Sequence, residues 1–223
     1  MARYVKKHQL QKGLAYHILN RGNARSDVFH DEEDFIYFKE LLKRYRETHG
    51  FFLYHWVLMN NHFHLVMEME EPEGLSATIA GILRSYVHYH HKKYNSAGHL
   101  WQGRFKSQAI EKKSYLLACG RYVEQNPLRA RLVDYPWEWP HSSAKFYCLG
   151  AEDQLTVPDP IWDKERNKTG YKQYQKWLGK KIEEEEENFF RTLNKAVGSE
   201  TFLARLIRIK DRDMPRRKGR HGK

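Results

Sequence analysis

Two imidazoles one residue apart open the chemical reading of the chain. His62 and His64 belong to the run His62-Phe63-His64-Leu65-Val66-Met67, and in an extended strand alternate side chains share a face. His62, His64 and Val66 then point one way, and Phe63, Leu65 and Met67 the other. The apolar side suits a layer of helices. The opposite side holds two imidazoles within reach of one divalent ion, and neutral imidazole is a common metal ligand. The same pattern also suits histidines that only hydrogen-bond in a half-buried layer. A second group lies downstream: Tyr122 and Asn126 stand four apart on a stretch of helical pattern, Ser114 to Asn126, so a phenol and an amide can share one helix face. A phenol can act as a nucleophile. With 14 tyrosines in the chain, however, residue type alone selects none of them, and a helical tyrosine also serves simply to anchor its helix on a sheet.

The elements that would position these groups follow from periodicity and turn chemistry. Leu14 to Leu19 reads as a strand ending in the turn Asn20-Arg21-Gly22-Asn23. Asp31 can cap a helix from Glu32 to His49, with Phe35, Phe38, Leu41, Leu42 and Tyr45 on one face and Gly50 as its stop. Phe51 to Met59 and His62 to Met69 form an antiparallel hairpin about Asn60-Asn61. Leu75 to Tyr94 carries Ile79, Ile82, Leu83, Tyr86 and Tyr89 at helical intervals, and Phe105 to Ile110 supplies a last strand before the Ser114 helix. The order β-α-β-β-α-β plus a helix predicts an α+β, ferredoxin-like antiparallel sheet with helices on one face and the other face available for a site. Residues 1–150 read as one domain. Residues 151–223 read as an accessory helical segment, with an acidic run at Glu183–Glu187 and a disordered basic end containing Arg216, Arg217, Lys218 and Arg220.

Lysine and arginine total 39 against 28 acidic residues, a formal net charge of +11, which makes nucleic acid the first partner to consider. Between Tyr86 and Lys106, aromatic residues alternate with Lys92, Lys93, Arg104 and Lys106, a composition suited to stacking unpaired bases while tracking a backbone. Every aromatic there at helical spacing could equally be core. Arg21 and Asn23 are DNA contacts by position, or turn residues around Gly22. The two cysteines, Cys119 and Cys148, give no disulfide framework. No start resembling a secretion signal and no apolar run approaching a membrane span is present. The expectation is a cytoplasmic, nucleoid-associated protein outside the membrane.

Met59-Asn60-Asn61-His62-Phe63-His64-Leu65-Val66 closely resembles the histidine-hydrophobe-histidine motif of HUH nucleases. Three further blocks sharpen the resemblance: Tyr16-His17-Ile18 leading to Arg21-Gly22-Asn23, the segment Leu100-Trp101-Gln102-Gly103-Arg104-Phe105-Lys106-Ser107, and Arg121-Tyr122-Val123-Glu124-Gln125-Asn126-Pro127-Leu128-Arg129-Ala130. In this order, from about residue 14 to about residue 145, the chain resembles the REP-associated tyrosine transposases of the single-tyrosine HUH superfamily. The resemblance implies Tyr122 as nucleophile and His62, His64 and Asn126 as ligands of Mg²⁺ or Mn²⁺. Gln125 stands as the alternative third ligand, because Pro127 biases the residue before it away from the helical region. Zn²⁺ or Ni²⁺ could also occupy a nitrogen-rich site. The implied activity is metal-dependent cleavage and joining of single-stranded DNA at hairpin-forming repeats through a 5′-phosphotyrosine, by a monomer or homodimer. Two other readings stand beside it: a noncatalytic DNA-hairpin-binding descendant, and a zinc hydrolase built on His62 and His64, which would lack the further His or carboxylate such sites usually show.

Overall fold

The computed structural model describes residues 10–112, 114–191, 193 and 196–213. The basic run Arg216 to Arg220, expected to be disordered, lies outside the described residues. Four strands, β1 (Ala15–Arg21), β2 (Phe51–Met59), β3 (His62–Met69) and β4 (Lys106–Ile110), form one sheet in the order β2-β3-β1-β4. Each neighbouring pair is antiparallel. Between them run α1 (Glu32–His49) and α2 (Leu75–Tyr94), which completes the expected ferredoxin-like order. The Asp31 side chain accepts from the Asp34 backbone N–H at the start of α1, and Gly50, at φ 60°, ends it.

Strand parity divides the sheet into two faces. Tyr16, Ile18, Phe63, Leu65, Met67, Leu53, Trp56 and Leu58 share a core with Phe35, Phe38, Leu41 and Leu42 of α1 and Ile79, Ile82 and Tyr86 of α2. Each such large apolar side chain stabilises the fold by about 1.5–3 kcal/mol on burial. The second face is not left open as the sequence suggested. Helix α3 (Ser114–Glu124) lies across it, and Leu116, Cys119, Tyr122 and Val123 pack on Ala15, Val57, Val66 and Ile110. Gly120 permits this close approach, since a Cβ there would come within 2.5 Å of the His55 ring. His55 itself reaches α3 because a bulge shifts the β2–β3 register between Leu53 and His55 and turns the strand locally.

Helix α3 ends at Glu124, and α4 (Asn126–Arg129) follows directly. Hydrogen bonds from Gln125 N to Arg121 O and from Arg129 N to Gln125 O carry the helical path through the junction. Pro127 sits in the first turn of α4, where its missing N–H costs no hydrogen bond. Helices α5 (Ala144–Leu149), α6 (Pro160–Leu178), α7 (Glu184–Arg191) and α8 (Glu200–Asp213) complete the described chain. Tyr147 and Cys148 of α5 and Trp162, Tyr174 and Leu178 of α6 form a third apolar cluster. Helix α6 had no sustained period in the sequence; Gly170, at φ 60°, interrupts it. Val197 bridges the edge of β4, donating to Ala109 O and accepting from Glu111 N, each at 2.9 Å. Both cysteines are free and buried. Among the described residues no helix is long and apolar enough to cross a membrane.

Candidate functional site

The parity that sends Phe63 and Leu65 into the α1–α2 core sends His62 and His64 toward α3. The pairing of β1 with β3 sets His17 opposite Val66, Leu19 opposite His64 and Arg21 opposite His62, so directly paired side chains share that face. Three imidazoles therefore meet. The His62 and His64 ring centroids lie 5.2 Å apart at 83°, and His17 Nε2 lies 2.8 Å from His64 Nδ1. His62 Nδ1 lies 2.6 Å from Asn61 Oδ1. Burial pushes His62 down to about 4, helped by the Arg21 charge and opposed by a hydrogen bond with Asn126. Burial likewise pushes His17 down to about 3 and His64 well below the usual histidine range. All three rings are thus neutral at pH 7, the form that ligates metals.

Tyr122 reaches this group from α3. Its ring meets those of His17 and His64 edge-on, both at 5.8 Å between centroids. Phe190 of α7 covers it at 5.7 Å, and the Arg129 guanidinium lies over the ring, 4.2 Å from its centroid. Burial pushes the Tyr122 phenol up, and the Arg129 charge opposes the rise. Asn126 Nδ2 donates to Tyr122 O at 3.1 Å and Val123 O at 3.0 Å, which leaves the amide oxygen for His62. Gln125, the alternative ligand, is turned elsewhere: its buried Nε2 donates to Leu178 O and, at 2.6 Å, to Lys180 O. Among the described residues no cluster of three or more His, Cys, Asp or Glu is arranged to hold a metal. The donor set brought together here is of another kind, two neutral imidazoles and an amide oxygen. It suits a small divalent ion that keeps further positions for water or phosphate.

The basic residues named from the sequence divide into groups. Arg21, Arg104 and Lys106 line one depression of about 190 Å³ together with Asn20 and Gln102, and the Arg21 charge is felt at His62 and His64. Asn23 is exposed in the following turn, its N–H donating to Leu100 O. Lys92 is exposed on the last turn of α2, away from the depression. Lys93 is held differently: its ammonium pairs with Asp31, Glu33 and Asp34 at 2.7–2.9 Å, so its charge is answered within the fold. Tyr86 belongs to the core, donating to Val28 O, whereas Trp101 packs on that core and also lines a cavity. A larger cavity of about 600 Å³, lined by Leu83, Arg84, Val87, Trp101 and Phe105, adjoins the depression through Gly103 and Arg104.

Three residues of the site carried no role in the sequence reading. His17 shows a signal, since it stands between the apolar Tyr16 and Ile18 and so faces away from the core. Arg129 follows Tyr122 by seven and Asn126 by three, which is helical spacing. Phe190 shows none.

The chain matches the model of a family described as transposase IS200 like over residues 10–126, just over half its length. No curated protein matches it significantly. A solved structure described as a REP-associated tyrosine transposase bound to a REP hairpin has the same fold, with a TM-score of 0.57 at 19% identity, covering 71% of this chain and 90% of that one. The matched stretch runs from the strand that carries His17 to Asn126, and the chain belongs to the IS200-like transposase family.

Proposed function

We propose that the protein nicks and rejoins single-stranded DNA at hairpin-forming repeats, with Tyr122 as nucleophile and His62, His64 and Asn126 as metal ligands. The observation that carries the reading is the edge contact of the Tyr122 ring with His64, which brings a phenol to a neutral imidazole pair. A Mg²⁺ or Mn²⁺ ion on those ligands supplies Lewis-acid polarisation of the scissile phosphate. The protein supplies positioning. The helical path through α3 and α4 presents the phenol and the Asn126 amide from one side.

In the step, a bond forms between Tyr122 Oη and phosphorus while the bond from phosphorus to the 3′ oxygen breaks. The phenolic proton leaves to solvent water, and the 3′ oxygen takes a proton from water. The 5′-phosphotyrosine retains phosphodiester bond energy, so attack by another 3′-hydroxyl reverses the step and joins strands without a nucleotide cofactor. The REP hairpin held by the structural relative supports a hairpin as the substrate form. Arg21, Arg104 and Lys106 would hold its backbone beside the histidines.

The test is an oligonucleotide carrying a repeat hairpin, incubated with Mn²⁺ and resolved on denaturing gels. The wild-type protein yields a covalent adduct; Tyr122→Phe and His64→Ala do not, while both still bind the oligonucleotide. An undiminished adduct in Tyr122→Phe sinks the assignment. Hairpin binding with no adduct from the wild type leaves the noncatalytic reading.

A further inference from the structure

We propose that Arg129 is a catalytic residue that grips a nonbridging oxygen of the scissile phosphate in the transition state, an inference that rests on Tyr122 being the nucleophile. Tyr122, Asn126 and Arg129 stand at i, i+4 and i+7 along a helical path that the Gln125–Arg121 and Arg129–Gln125 backbone bonds keep continuous, so one stripe delivers all three to the sheet. The guanidinium lies over the Tyr122 ring, 4.2 Å from its centroid, and its charge is felt at His17, His62 and His64.

Its Nη1 is shut away from solvent and has no hydrogen-bond partner among the described residues. An unmade bond on a buried cation is costly, and structural arginines pair with carboxylates. Arg121 illustrates this: although its buried Nε also lacks a partner among the described residues, it pairs with Glu186 at 3.5 Å and donates to Lys180 O and Lys181 O. Arg129, on the same helical path, forms no ion pair among the described residues; Glu187 reaches it only through its field. A planar donor with an uncommitted N–H beside a phosphate-attacking phenol matches one oxygen of a phosphodiester. Charge grows on that oxygen as Tyr122 Oη bonds to phosphorus and the bond to the 3′ oxygen lengthens, so the contact strengthens toward the transition state.

The experiment removes the charge from either side. Arg129→Gln cleaves an ordinary oligonucleotide about 100-fold more slowly than wild type, and Arg129→Lys, which keeps a cation without the fork, falls between. On an oligonucleotide whose scissile phosphate is a neutral methylphosphonate, the wild-type advantage shrinks to a few-fold. An equal advantage on both substrates overturns the proposal, since a packing role is blind to that charge. The same comparison is made by affinity in the Tyr122→Phe background, where nothing is cleaved. Tyr122→Phe prefers the phosphodiester over the methylphosphonate, and adding Arg129→Gln reduces the preference while Arg129→Lys keeps more of it. A preference unchanged by Arg129→Gln, or a uniform loss of binding to both oligonucleotides in both Arg129 variants, overturns the proposal. Because this cycle needs no turnover, failure of Tyr122 as nucleophile shows separately, as an undiminished adduct in Tyr122→Phe, and is told apart from failure at Arg129.

Discussion

A phenol pressed among rings on a dry helix face is held in place but reluctant to lose its proton, and at Tyr122 burial raises the phenol while Arg129 works against that rise. Its neighbours share the task of fixing geometry. The His17 ring stacks on His64 at 5.0 Å and 22° and exchanges a hydrogen bond with its Nδ1, so it selects the His64 tautomer and ring angle. His17→Ala is expected to weaken Mn²⁺ binding about 10–100-fold, read by calorimetric titration; unchanged affinity would remove His17 from the metal's surroundings. The shared face of His62 and His64 was legible because alternation along one strand is a local property. The placement of His17 was half legible. Its face followed from Tyr16 and Ile18, but its contact with His64 depends on which strand lies next to β3, and topology settles that. Arg129 was hidden by Pro127, which reads as the end of a helix when in fact the helical path continues past it.

Helix α3 is fastened at its end by a buried polar knot. His55 Nδ1 lies 2.9 Å from Glu124 Oε1, and its Nε2 lies 3.2 Å from Asp159 Oδ2, all with fully buried side chains. Ser143 Oγ and Tyr174 OH also donate to Glu124, at 2.6 and 2.9 Å. The knot ties β2, α3 and the start of α6 together two residues from the phenol. Burial opposes the His55 charge, but the field and hydrogen bond of Glu124 and the bond to Asp159 outweigh it and push His55 up to about 9. A histidine raised from an ordinary value of about 6.5 stabilises the folded state in full below that value, and the contribution drains away as pH rises through about 9. Replacing His55 with Ala, which leaves two buried carboxylates unpaired, is expected to cost about 3–5 kcal/mol near pH 6. Urea unfolding of both proteins should show the gap narrowing toward pH 10; a constant gap would mean that His55 is uncharged. Helices α1 and α2 and the hairpin were readable from period and turn residues. The bulge that aims His55 was not, because a one-residue register shift leaves no mark on composition. Helix α6 was obscured by its polar face and by Gly170.

Across the whole molecule, a net charge of +11 does not make every basic side chain a DNA contact. Three carboxylates claim Lys93, while Arg21, Arg104 and Lys106 line one depression together. The Arg104→Ala, Lys106→Ala double variant should flatten the dependence of log affinity on log salt by about 0.7 for each lost phosphate contact. Lys93→Ala should leave that slope alone and lower the melting temperature instead; the opposite pattern would exchange their roles. The interior thiols give the assembly a built-in reporter. Cys119 lies on α3 one turn before Tyr122, and burial pushes its thiol well above the ordinary range, so an alkylating reagent finds no thiolate while the layers stay closed. Modification of Cys119 therefore keeps time with the lifting of α3 from the sheet. A strand that slides in along the depression lined by Arg21 and Lys106 leaves that clock running at its resting rate, whereas one that must pry the helix away makes it run fast.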